Sequence, residues 1–160
     1  MEIEMGNDIG VCVLLSAYKP DLKFFAEQLD SIDKQTFPLT LLVRNDCPES
    51  DSLERFIQAH ITKNAYRYYH GDNNLGYVKS FEALLSLAEG DYVVLCDQDD
   101  IWKKDKIEIT FNKMKQAEER YGRDFPLLVH GDVEVIDENG NINADSMFEM
   151  SHINADSKLP

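Results

Sequence analysis

Three aspartates fall within four residues, Asp97, Asp99 and Asp100, directly after the apolar run YVVLC and with no base among them. In extended chain, side chains two apart project to one side, with their Cα atoms about 6.6 Å apart. Asp97 and Asp99 can therefore approach one hard divalent cation together. A Mg²⁺ or Mn²⁺ held by one or two carboxylates keeps open positions that phosphates complete. Three acids without a counter-charge also repel one another, which favours a cation. The plainer alternative is a solvated acidic loop that caps a helix beginning near Lys103. A calcium-binding EF-hand loop fits poorly, because Ile101 and Trp102 stand where it requires an oxygen ligand and a glycine.

Two further segments carry groups of interest. Asn45-Asp46 follows the apolar run LTLLV, and a carboxylate there can accept the N3–H of a uracil or thymine ring. In GDNNLG, residues 71–76, Gly76 precedes a helical pattern, so the backbone can come close to a diphosphate, with Lys79 as a counter-charge one turn in. Taken singly, each of these is also ordinary turn chemistry. Histidines 60, 70, 130 and 152 lack ligand spacing; His60 reads as helix surface and His130 as crevice floor. Trp102 reads as a packing anchor beneath the acidic loop or as one wall of a sugar pocket. No GxSxG, CxxC or phosphate-loop pattern is present.

Short apolar runs alternate with amphipathic stretches from Ile9 onward. Strands are predicted at VCVLL, LTLLV, YRYY and DYVVLC. Helices are predicted between them: one from Pro20 and Asp21 through Ile32, one capped by Ser50 and Asp51, and one from Val78 to Ala88 with Gly90 as its C′ residue. A fourth helix runs from about Lys103 to Tyr121. LLVH and VEVI follow as a fifth and sixth strand, with DENGN as a hairpin tip. This rhythm predicts an α/β fold, a Rossmann-like, mostly parallel sheet with helices on both faces. Ligands then bind beyond the carboxyl ends of the strands, where the three polar segments lie. Residues 1–142 form this domain, and 143–160 read as a polar, acidic tail or linker.

The chain has 160 residues, enough for one domain, with 43% hydrophobic and 29% charged residues. Its net charge of −14 argues against binding nucleic acid or anionic lipid surfaces. No run approaches a membrane span, and MEIEMGNDIG, with three acids and no base, is unlike a secretory signal. Cys12, Cys47 and Cys96, odd in number and scattered, are expected as reduced thiols in a cytoplasmic protein.

In order, VCVLLSAYK, LTLLVRNDCPESD, NNLGYVKSFEALLSLAEGDYVVLCDQDDIWKKDKIE and LLVHGDVEVIDENG resemble the family 2 glycosyltransferases, especially bacterial rhamnosyltransferase-like members that build surface polysaccharides. The resemblance covers about residues 9 to 140. It implies a GT-A fold, a nucleotide-diphosphate sugar (dTDP- or UDP-linked), Mn²⁺ or Mg²⁺, inversion at the anomeric carbon, and a glycan or lipid-linked acceptor. It also implies a cytoplasmic enzyme, peripheral at the inner face of the membrane. By position, Ala17 and Tyr18 lie against the nucleoside and Asp46 binds the base. Asn74, Gly76 and Lys79 shape the nucleoside and diphosphate side. Asp97 faces the ribose or the metal's water shell, and Asp99 ligates the metal. The family's small residues after the base-binding acid are replaced by Cys47-Pro48-Glu49. Its general base is expected beyond Pro160, with Asp132 the nearby alternative. Two other readings compete: a nucleotide-sugar-binding module without catalysis, and a haloacid-dehalogenase-type phosphatase that uses Asp97 as nucleophile.

Overall fold

The computed structural model describes residues 10–49 and 52–153, so the expected caps Ser50 and Asp51 and the last part of the tail lie outside the described residues. The described chain falls into two compact units that divide between Glu108 and Ile109.

The first unit holds four parallel strands, β1 (Val11–Ala17), β2 (Thr40–Asn45), β3 (Ala65–His70) and β4 (Tyr92–Cys96), in the order β3-β2-β1-β4. Alternation along the strands divides the core between two faces. Val11, Val13, Leu15, Ala17, Leu41 and Val43 pack with Phe25, Leu29 and Ile32 of α1 (Leu22–Asp33) and with Leu53 and Ile57 of α2 (Leu53–His60). Cys12, Leu14 and Leu42 face the other way, onto Phe81 and Leu84 of α3 (Tyr77–Leu87). The expected parallel sheet with helices on both faces is what forms, but on the α3 side Val93 and Leu95 of the edge strand β4 stay exposed.

Local chemistry sets the ends of these elements. Asp21 caps α1 by accepting the Lys23 amide at 2.8 Å. At the other end of α1, the Asp33 carboxylate accepts the amides of Thr62, Lys63 and Asn64 at 2.9–3.1 Å and ties the helix to the α2–β3 connection. Trp102 is buried among the α1-side core, and its amide donates to Ser31 Oγ at 3.0 Å, so it is the packing anchor.

Gly90 is not a left-handed helix cap; α3 ends at Leu87 and Gly90 does not have positive φ. Instead it lets the chain pass β1: a Cβ there would lie 2.8 Å from Gly10 O and 3.1 Å from Cys12 Sγ. The fourth helix, α4 (Lys106–Tyr121), starts three residues later than expected and carries the chain into the second unit.

The second unit also contains the antiparallel pair β5 (Val135–Ile136) and β6 (Ile142–Ala144), joined at the expected DENGN tip, and the single-turn helix α5 (Met147–Met150). The predicted strand LLVH does not form. Residues 127–130 alternate between partly buried and exposed, as a strand would, but pair with no ladder among the described residues. Alternation supplies a face, whereas a strand also needs a neighbour. Residues 142–150 add β6 and α5 where an aperiodic tail was expected to begin.

Candidate functional site

In a sheet ordered β3-β2-β1-β4, successive connections run outward from β1 to β3 and then return to the far side of β1. The strand order therefore reverses between β1 and β4, and a crevice opens beyond their carboxyl ends. A cavity of about 400 Å³ lies there, entirely within the first unit. Tyr18 and Ser16 come to it from β1, Asp46 from β2, Asn74, Gly76 and Tyr77 from the entry to α3, and Asp97, Gln98 and Asp99 from the end of β4.

Six of the residues singled out in the sequence thus share one cavity: Tyr18, Asp46, Asn74, Gly76, Asp97 and Asp99. Ala17 is buried beneath it and accepts the Asp46 amide at 2.7 Å. Lys79 is exposed on α3 and is not among the lining residues. Asp132 belongs to the second unit, where its carboxylate accepts the Ser146 hydroxyl and the amides of Val133 and Phe148. The Ser146 hydrogen bond leads in holding that carboxyl below its usual range. His130 packs edge-on against Phe148 in the same unit, with ring centroids 5.5 Å apart.

Ser16, Tyr77 and Gln98 also line the cavity. Ser16 Oγ donates to Ser80 Oγ at 2.6 Å and joins β1 to α3. The Tyr18 amide donates to Gln98 Oε1 at 2.9 Å, so the residue between the two aspartates reaches across to the β1 loop. Tyr77 is 65% exposed at the cavity, with its ring edge-on to Phe81 at 4.9 Å between centroids. Only their immediate neighbours in sequence, DQD and LGY, could have pointed to the last two.

The acidic loop carries the expected mutual repulsion. Burial and then the charges of Asp97 and Asp99 raise the Asp100 carboxyl above its ordinary value. Asp97 likewise raises the Tyr77 phenol. Behind the loop, burial pushes the Cys96 thiol up, so it stays protonated. Asp97 and Asp99 are exposed, hard oxygen donors on one cavity. No set of three or more His, Cys, Asp or Glu side chains among the described residues is arranged around a metal position. This donor set fits a Mg²⁺ or Mn²⁺ whose remaining positions are filled by phosphate and water, and does not fit a closed structural metal site.

The sequence model of glycosyl transferase family 2 matches residues 12–121. An uncharacterized glycosyltransferase of Methanocaldococcus jannaschii is 30% identical over 134 residues, which is 82% of this chain and 44% of the relative. Glycosyltransferase GlyG of Streptococcus pneumoniae is 26% identical over 97 residues, 60% of this chain and 32% of its own. The chain therefore spans less than half the length of these curated relatives. Among solved structures, S. aureus TarS 1–349 in complex with UDP superposes with a TM-score of 0.58 at 22% identity, over 83% of this chain and 43% of that one. The Pyrobaculum calidifontis mannosyltransferase PcManGT, in complex with GDP-Man and Mn²⁺, superposes with a TM-score of 0.52 at 24% identity, over 61% and 30%. At these identities the structural likeness establishes the α/β, GT-A-like fold.

Proposed function

Because the chain belongs to glycosyl transferase family 2, we propose that its first unit binds the sugar nucleotide of an inverting, metal-dependent transferase. The observation that carries this reading is the cavity at the strand-order reversal. There an acidic pair, Asp97 and Asp99, lies together with Tyr18, Asn74 and Gly76. A nucleoside diphosphate presents the two halves that such a cavity takes, a flat apolar ring and a charged tail that needs a cation.

In this reading Tyr18 lies along the nucleoside and Asn74 and Gly76 shape its pocket. Nothing lies within 4 Å of the Cβ position at Gly76, which leaves room for the ligand. Asp97 and Asp99 would hold Mn²⁺ or Mg²⁺, which supplies positive charge to a departing diphosphate. In the transfer, the acceptor hydroxyl oxygen bonds to the anomeric carbon as the bond to the diphosphate oxygen breaks. The hydroxyl proton passes to a carboxylate base. The bonded state of Asp132 argues for a base other than Asp132.

The sugar proposed is rhamnose or a related hexose, carried on UDP or dTDP. The acceptor proposed is a glycan or lipid-linked glycan of a cell-surface polysaccharide, met in the cytoplasm at the inner face of the membrane. No helix among the described residues is long and apolar enough to cross a membrane. The UDP complex of TarS 1–349 and the GDP-Man and Mn²⁺ complex of PcManGT support the ligand class by analogy. The family match sets the phosphatase reading aside.

Calorimetric titration with UDP and dTDP, with and without Mn²⁺, tests the proposal. Metal-dependent binding that is lost in Asp99→Ala is the expected result. Absence of binding to both nucleotides sinks it. Transfer or hydrolysis of the bound sugar by this chain distinguishes an enzyme from a binding module.

A further inference from the structure

Near its carboxyl end β2 carries an arginine that is not among the residues lining the cavity. Arg44 stands two residues along from Leu42, on the α3 side of the sheet, and its side chain is 14% exposed. Its guanidinium occupies the space that the buried Gly71 leaves: a Cβ there would lie 2.5 Å from Arg44 Nη2 and 2.9 Å from Asn45 O. From this position Nη2 lies 3.3 Å from Asp46 Oδ1 and donates to Asn73 O at 3.3 Å. One side chain thus joins the end of β2 to the turn that leads into α3.

Both things it touches belong to the site. Asp46 is 2% exposed and lines the cavity. The Leu75 amide donates to both of its oxygens, at 3.0 and 3.1 Å, and the Gly76 amide donates to Oδ2 at 2.9 Å. With Arg44 these make three donors on a group that offers about four acceptor positions, so one position stays open toward the cavity. The turn has few other restraints. Residues 72–79 are all exposed, and besides Asp46 the Gly76 amide donates to Asn74 Oδ1 at 2.8 Å.

Stability does not account for Arg44. Its Nε is buried without a hydrogen-bond partner among the described residues, and an unpaired buried donor costs free energy that an apolar side chain avoids. Replacing a buried ion pair by apolar groups of similar size is commonly neutral or stabilising. We propose that Arg44 is a positioning residue of the sugar-nucleotide site. It holds the Asp46 carboxylate and the turn of residues 73–76 in one arrangement, with the open acceptor position turned to the ligand, and it acts through Asp46 without touching the ligand. This inference rests on the nucleotide-binding reading above and adds to it a residue from outside the cavity lining.

Arg44→Met, which keeps an apolar stem and removes the guanidinium, tests this by thermal unfolding, amide hydrogen exchange and titration with UDP and CDP. The thermal midpoint should be unchanged or higher. Exchange at Leu75 and Gly76 should speed up roughly fivefold, while the β1 amides are unaffected. UDP should bind about tenfold more weakly, as for loss of a charge-assisted contact, and CDP, whose ring N3 carries no hydrogen for Asp46 to accept, less than about threefold. Affinities for UDP and CDP that both hold, or that fall by the same factor, overturn the proposal, and so does unchanged exchange at Leu75 and Gly76. A midpoint lowered by several degrees with the UDP-to-CDP ratio intact would make Arg44 a structural residue instead. If the unaltered chain binds neither nucleotide, the functional reading fails, and exchange at Leu75 and Gly76 alone decides whether Arg44 holds the turn. Should Arg44→Met not fold, Arg44→Lys, which keeps the charge without the planar fork, replaces it and should show the same changes at smaller size.

Discussion

Gln98 shows how little of a side chain's role its neighbours can reveal. Flanked by two aspartates, it reads as a spacer, yet its amide pairs with the peptide of Tyr18, eighty positions away. Asp46 behaves similarly: its type marks it as a polar group at a strand end, but its partners at Leu75 and Gly76 arrive only through the fold. Residue types and spacing pointed to Asp46, Gly76, Asp97 and Asp99, and the family resemblance added Tyr18 and Asn74; all six line the cavity. Long-range hydrogen bonds have no local pattern and stayed hidden. Gln98→Ala removes the restraint on the Tyr18 loop while leaving both aspartates. It should weaken UDP binding roughly five- to tenfold, the equivalent of about 1 kcal/mol, with calorimetric Mn²⁺ affinity in the absence of nucleotide unchanged.

Among elements, those with a strong period and a ready neighbour were legible. β1 to β4 and α1 to α3 form close to where apolar spacing put them, because each has at least one apolar face packed on an adjacent element. LLVH had the alternation but no partner strand among the described residues, and the Gly90 turn serves passage beside Gly10, not helix termination. The joint between α1 and the α2–β3 connection has a specific pH signature. Burial raises the Asp33 carboxyl, but hydrogen bonds from Thr62, Asn64 and Lys63 outweigh it and hold the group below its ordinary value. A depressed folded-state value means that this contribution is present above about pH 4 and is lost as pH falls through the folded value. Asp33→Ala should cost about 1–2 kcal/mol at pH 7 in denaturant unfolding, and the difference from the unaltered protein should shrink on acidification through that range.

For the molecule as a whole, the net charge of −14 has a different weight once its distribution is known. An anionic protein that takes a diphosphate must do so where its own negative charge is locally offset. In the reading proposed above, that offset would come from a cation held at the acidic loop. All of this machinery sits at the carboxyl ends of the strands. At the amino ends, Gly10 and Gly90 pass so closely that a methyl group on Gly90 would meet backbone at 2.8 Å. Gly90→Ala must push β1 away from the approach to β4, and a lowered thermal midpoint of several degrees is expected, as for other overpacked contacts. UDP affinity below that midpoint should stay within twofold, because the displaced chain is a full strand length from the cavity. Two opposite ends of one sheet thus give separable readouts: damage at the glycine crossing registers as lost cohesion, and damage at the aspartates registers as lost occupancy.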